Sequence, residues 1–263
     1  MTIEGAHTSA HTTAHTTTDT SAHTTAHTTT GASAHTAHTT DTTAHTTAHT
    51  PARTAEHGAG LTRRVIERVR QDPGASALDY RDVPWVSGPA PRPLPEDVLA
   101  RTAFPSGRPL SPSLRAWLRF DTTLLERHGW FAPEGGAALT PRPLDRLVGD
   151  EFGAWWTEDF APLAERFPEC FLLPGGSDSR RVLAVTEPDE EGEYPVLALD
   201  MDDLPFVGLM YPGFDVYLAD TAGLVERDPG SYTSLFRHDT YGPRMRRHAA
   251  HCLDGEVCAQ YPF

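Results

Sequence analysis

The stretch CFLLPGGSDSRRVLAVTEPDEEGEYPVLALDMDDLPFVGLMYPGFDVYLAD, residues 170–220, decides the fold. Cys170 to Leu173 is a short apolar run closed by Pro174-Gly175-Gly176, and Arg181 to Thr186 follows after a polar turn. Both read as β-strands bounded by breakers. Five acids, Glu187, Asp189, Glu190, Glu191 and Glu193, surround Gly192 before the run Tyr194 to Leu199. Asp200, Asp202 and Asp203 then precede a fourth run, Phe206 to Tyr211. Each connection is too short for a crossover, so the spacing predicts antiparallel neighbours. From Phe214 the period changes: Phe214, Tyr217, Leu218 and Leu224 recur at helical spacing, predicting a helix that packs back on the sheet.

Working outward, Ser111 is placed to cap a helix that has Pro112 at its first position and Leu114, Trp117 and Leu118 on one face. Asp121 can cap a further turn through Leu124 and Leu125 that stops at Gly129. Two more short helices are expected over Pro143 to Phe152 and Glu158 to Phe167, with Trp155-Trp156 between them. The tryptophan pair reads either as core and lid over a sheet or as a stacking platform. Leu61, Val65, Ile66 and Val69 form one apolar stripe, the mark of an amphipathic helix from Leu61 to Gln71. Tyr80 to Val86 is compatible with an edge strand because of Pro84, and Pro89, Pro91, Pro93 and Pro95 make a stiff connector. Tyr232 to Phe236 reads as loop or strand and Pro243 to Leu253 as a helix, with fraying expected past Gly255.

The order FLLPGG, RVLAVTE, YPVLALDMDD and FVGLMYPGFDVYLAD, preceded by PLSPSLRAWLRFD at 109–121, resembles the SUKH superfamily, which includes the yeast cell-wall-assembly regulator and many bacterial immunity proteins. The resemblance covers about residues 93–224. It implies an early helix over Pro112 to Phe120, a closing helix over Phe214 to Leu218, and a role in binding and occluding a partner protein such as a nuclease or other nucleic-acid-modifying toxin. The asparagine-glycine pair often found after the early helix is absent, and His128-Gly129-Trp130 stands in that region.

Of the 263 residues, the first sixty or so are almost entirely Ala, His, Thr and Ser, with histidines recurring at His7, His11, His15, His23, His27, His45 and His49. Such a segment has nothing to bury, and disorder is expected. Its alternative reading is a metal-binding tract for zinc, nickel or copper. About 200 residues remain, enough for one buried domain. The expected organisation is therefore a tail over 1–60, an α+β domain over 61–225 with a largely antiparallel central sheet covered by helices, and a C-terminal extension over 226–263.

The formal net charge is −14, which argues for a basic or toxin-like protein partner and against nucleic acid or an anionic membrane. No apolar run has the length of a membrane span. The chain opens without a basic segment followed by an apolar one, and its three cysteines, Cys170, Cys252 and Cys258, do not make a disulfide framework, so a cytoplasmic location is expected.

Catalytic chemistry finds little support. Gly175-Gly176-Ser177-Asp178-Ser179 lacks the second flanking glycine of a nucleophile elbow and sits in a strand-to-strand turn. His238-Asp239 has no upstream partners, and without lysine no phosphate-binding Gly-x-x-x-x-Gly-Lys loop can exist. His248, His251, Cys252 and Cys258 form the best alternative, a tetrahedral zinc site. Asp200, Asp202 and Asp203 suit a hard cation by ligand type, yet read equally as a solvated turn. Together with Glu187, Glu190 and Glu191 they would form an acidic patch that steers a basic partner, with Trp155 and Trp156 as further contact residues. The expectation is a non-enzymatic binding protein with no cofactor.

Overall fold

The computed structural model describes residues 56–73, 85–132, 136–175, 179–202 and 204–263. The expected low-complexity tail, most of the expected Tyr80 to Val86 strand, and Asp203 lie outside the described residues.

The helices are α1 (Gly58–Gln71), α2 (Glu96–Leu99), α3 (Pro112–Leu118), α4 (Thr123–Glu126), α5 (Leu144–Phe152), α6 (Thr157–Ala164), α7 (Phe214–Thr221) and α8 (Gly242–Cys252). The strands are β1 (Cys170–Leu173), β2 (Ser179–Ala184), β3 (Val196–Asp200), β4 (Phe206–Tyr211) and β5 (Cys258–Gln260). They form one antiparallel sheet in the order β1-β2-β3-β4-β5. The fold is α+β, a meander covered by helices.

Val196, Leu197, Ala198 and Leu199 are all buried although their side chains alternate between faces, so β3 is covered on both sides. Cross-strand partners share a face. Phe171, paired to Leu183 and through it to Val196, lies 4.5 Å from the Trp130 ring, which in turn meets Phe214 of α7. Arg180, on the opposite face, reaches Glu151 and the Phe152 ring at the end of α5.

The local signals explain most helix ends. Ser111 Oγ accepts the Leu114 N–H at 3.3 Å, with Pro112 opening α3. Asp121 accepts Leu124 N–H and the Thr123 hydroxyl. Gly129, at φ 71°, stops the turn after α4 and drops Trp130 into the core, where its indole N–H donates to Leu172 O at 2.6 Å.

Three expectations change. The proline-rich connector ends in the one-turn helix α2 rather than running straight into α3. Tyr232 to Phe236 is neither strand nor open loop: Ser234–Arg237 forms a turn of 3₁₀ helix. The segment past Gly255 does not fray, because Leu209 N–H donates to Val257 O and Tyr261 N–H to Pro205 O, adding β5 to the sheet edge. Residues 226–263 thus complete the domain rather than extend it. Its N-terminal boundary also moves, since α1 begins at Gly58, whose N–H donates to Asp215 of α7 at 2.7 Å.

Removing residues 1–55 should therefore leave the thermal midpoint unchanged, while removing residues 1–58 deletes that charge-assisted bond and should lower it by roughly 3–10 °C. Thermal denaturation of the two truncations checks this, and a midpoint that falls with the shorter cut would contradict it.

Candidate functional site

The densest group of ionisable side chains is buried. Arg244 of α8 is 2% exposed, and Asp189 and Asp215 are 0% exposed. Its guanidinium forks onto Asp215, Nη1 to Oδ2 at 2.9 Å and Nη2 to Oδ1 at 3.2 Å, while Nε donates to Asp189. Asp189 also accepts the backbone N–H groups of Glu191 and Glu193. Glu193 accepts Ser113 N–H at 2.8 Å and is hydrogen-bonded to the Ser113 hydroxyl. His248 donates from Nε2 to Pro212 O at 3.0 Å and lies 3.7 Å from Asp189. The carboxylates of Asp215 and Glu193 sit at the N-termini of α1 and α3, where the helix dipoles favour negative charge.

These environments push Asp189 and Glu193 in opposite directions. Burial pushes Asp189 upward, but the His248 imidazole and the Arg244 charge outweigh it and hold the carboxyl down at about 2. Burial, reinforced by the Asp215 charge, pushes Glu193 up to about 8 against the pull of Ser113 and Arg244. Gly213 makes the approach possible, since a Cβ there would lie 2.4 Å from Asp215 Oδ1 and 2.7 Å from both Arg244 Nη2 and Glu193 Cβ. Each charged group points inward at another segment of the chain. The cluster clasps α1, α3, α7, α8 and the β2–β3 turn together.

The Cys/His group is not assembled. His248 and Cys252 lie one turn apart on the buried side of α8, with Cys252 Sγ bonded to His248 O, whereas His251 is exposed and Cys258 lies on β5. Burial pushes the Cys252 thiol up to about 12, away from the thiolate that zinc needs. Among the described residues no group of three or more His, Cys, Asp or Glu is placed to hold a metal ion. His238 stacks on Tyr241 and accepts Thr240 N–H.

The acidic turns are not one patch. Leu183 pairs with Val196 at one end of β3 and Ser179 with Asp200 at the other, so the turn with Glu190 and Glu191 and the turn with Asp200 and Asp202 lie at opposite ends of the sheet, about 13 Å apart along the strand alone. In the first, Asp189 and Glu193 are interior. Glu190 is exposed beside Arg247 at 3.8 Å, and Glu191 is half-buried. In the second, Asp200 is half-buried and accepts Asp202 N–H, and Asp202 is exposed.

The structure instead brings that second turn to the tryptophan pair. Trp155 is 68% exposed and its ring lies 4.2 Å from that of half-buried Trp156. Trp156 meets Phe160, Phe160 meets Phe263, and Phe263 meets Tyr261. Tyr261 joins the turn through its N–H to Pro205 O, and its hydroxyl lies 3.3 Å from Asp159 Oδ1. Trp155, Leu204 and Tyr261 are the exposed large hydrophobics among the described residues; ring contacts through buried Phe160 connect Trp155 to Tyr261, and Leu204 precedes Pro205 on the turn. Gly153, at φ 122°, lies directly beneath the Trp155 indole, where a Cβ would stand 2.6 Å from Nε1. The contributions of Leu204, Tyr261 and Phe263 went unseen in the sequence. The available signal was two aromatics, Tyr261 and Phe263, in the last three residues of the chain.

No family model and no curated protein matches the chain. Among solved structures it is similar to an uncharacterized protein from Salmonella enterica serovar Typhimurium, with 17% identity over 75% of this chain and 94% of that one and a TM-score of 0.46.

Two outcomes follow from this geometry. Glu193 holds a proton up to about pH 8 when folded but loses it near pH 4.5 when unfolded; its contribution is full below about pH 4.5 and is lost as pH rises towards 8. Urea unfolding between pH 5 and 8 should show wild type losing stability relative to Glu193→Gln, and parallel profiles would contradict the assignment. Gly153→Ala should dislodge the Trp155 ring, read as altered near-ultraviolet circular dichroism, and should also lower the midpoint by several degrees because φ 122° strains any residue with a side chain; an unchanged spectrum would show that the ring does not rest on Gly153.

Proposed function

We propose that this chain is a protein-binding domain of immunity or regulatory type that occludes a basic partner in the cytoplasm. The observation that carries this reading is the exposed Trp155 ring set against Trp156, with Tyr261 exposed beside Asp159 of α6 and Leu204 exposed on the β3–β4 turn that Tyr261 joins. Exposed apolar side chains within a polar surround are the usual anatomy of a protein interface, and tryptophan and tyrosine are its commonest energetic anchors. The ionisable groups with strongly shifted proton affinities in the clasp are spent on one another, which supports binding rather than chemistry.

The SUKH resemblance points the same way, and an antiparallel meander closed by α7 accords with it. A nuclease or nucleic-acid-modifying toxin is a natural partner class. Such proteins carry excess positive charge to hold phosphates, and a chain of net charge −14 attracts them at long range.

The test is the binding kinetics of a basic partner obtained by screening the products of the genes beside this one for complex formation with the full chain. Trp155→Ala should raise Kd about tenfold or more, chiefly through faster dissociation. Reversing charge at Glu190 and Glu191, at the opposite end, should change Kd less than about twofold. Equal affinity of Trp155→Ala and wild type, or no complex with wild type, would contradict the proposal.

A further inference from the structure

We propose that Trp155 is the receptor for an arginine side chain of the partner, a stacking platform edged by Glu158, Asp159 and Asp202. This deepens the protein-binding reading and rests on it.

The argument begins with what holds the ring. The Trp156 ring lies against the Trp155 indole and Gly153 against its Nε1 edge, and the indole remains 68% exposed. An exposed tryptophan face is the strongest of the aromatic rings for a cation, because the ring quadrupole places negative potential above it. The chain uses the same chemistry internally: Arg70, Arg180, Arg181 and Arg246 lie 4.9–5.8 Å from the rings of Phe120, Phe152, Tyr232 and Phe236. Among the described residues Trp155 has no such cation of its own.

The surrounding charge favours the same occupant. Glu158 and Asp159 follow Trp155 by three and four residues through the start of α6, a spacing that places them beside it. Asp202 stands exposed on the β3–β4 turn, which Tyr261 ties to the start of α6 through Pro205 O and Asp159 Oδ1, and neither Asp202 nor Glu158 has an ion pair among the described residues. The nearby Arg180 is engaged by Glu151 and the Phe152 ring. A guanidinium stacked on Trp155 could fork onto one of these carboxylates while its plane lies against the indole. A lysine ammonium cannot do both.

The probe is fluorescein-labelled nona-arginine, titrated with the full chain and followed by anisotropy at fixed ionic strength. Trp155→Ala leaves net charge unchanged and should weaken binding about fivefold or more. Glu158→Gln with Asp202→Asn should weaken it further than Glu190→Gln with Glu191→Gln, an equal charge change at the far end, and nona-lysine should bind more weakly than nona-arginine. Wild-type affinity for Trp155→Ala, or equal losses for the two double variants, would overturn the proposal by reducing the attraction to diffuse acidity. If the neighbouring gene's protein depends on Trp155 while nona-arginine does not, the arginine receptor falls and the docking surface stands.

Discussion

Arg244 takes its positive charge almost entirely out of water to satisfy two carboxylates, Asp215 and Asp189, that come from segments 26 residues apart in the chain. Burying an ion pair is costly, and removing one partner of such a pair typically costs about 3–5 kcal/mol because the remaining charge is stranded. The fold meets that cost by filling the remaining bonding capacity of each group. Asp215 also takes Gly58 N–H, Asp189 takes two turn amides, and Glu193 takes Ser113. With one guanidinium facing three buried acids, the third acid stays neutral. Glu193 is that acid because burial disfavours its charge and Asp215 repels it, which together outweigh the pull of Ser113 and Arg244.

This clasp sets the geometry of the surface at the other end of the molecule. α8 is fixed by Arg244 and His248, and the chain leaving it passes through Val257 into β5 and then to Tyr261. Tyr261 joins the β3–β4 turn to α6 by its backbone N–H and its hydroxyl. Trp155 and Trp156 lie on a turn of 3₁₀ helix, Ala154–Trp156, between α5 and α6, and α5 is tied to β2 by the Glu151–Arg180 pair. The aromatic surface is therefore built from rigid elements, and such preorganisation reduces the entropy lost on binding.

Much of the architecture was legible because it rests on local rules. The four runs from Cys170 to Tyr211, the Ser111-Pro112 start of α3, the stripe of α1 and the change of period at Phe214 all follow from spacing and breakers within a few residues. What the sequence hid depends on partners far away. Asp189 and Glu193 look no different from Glu190 and Glu191, yet the first two are interior because Arg244 and Ser113 lie opposite them. The acidic turns looked like one patch because adjacency in the chain does not reveal that a meander sends successive turns to opposite ends. β5 was missed because three residues with little apolar character form a strand only where β4 offers an edge. Trp155 and Trp156 were visible as an unusual pair, but their exposure depends on Gly153 and on where β5 ends.

Native-state hydrogen exchange at the clasp tests the account most directly. The amides of Gly58, Ser113, Glu191 and Glu193 donate to the buried carboxylates, and the account predicts that they exchange together with the β3 amides, at the free energy and denaturant dependence of global unfolding. Exchange of Gly58 and Ser113 through a cheaper opening that leaves β3 protected would contradict it, showing that the helices are held on the sheet by something other than Arg244 and its acids.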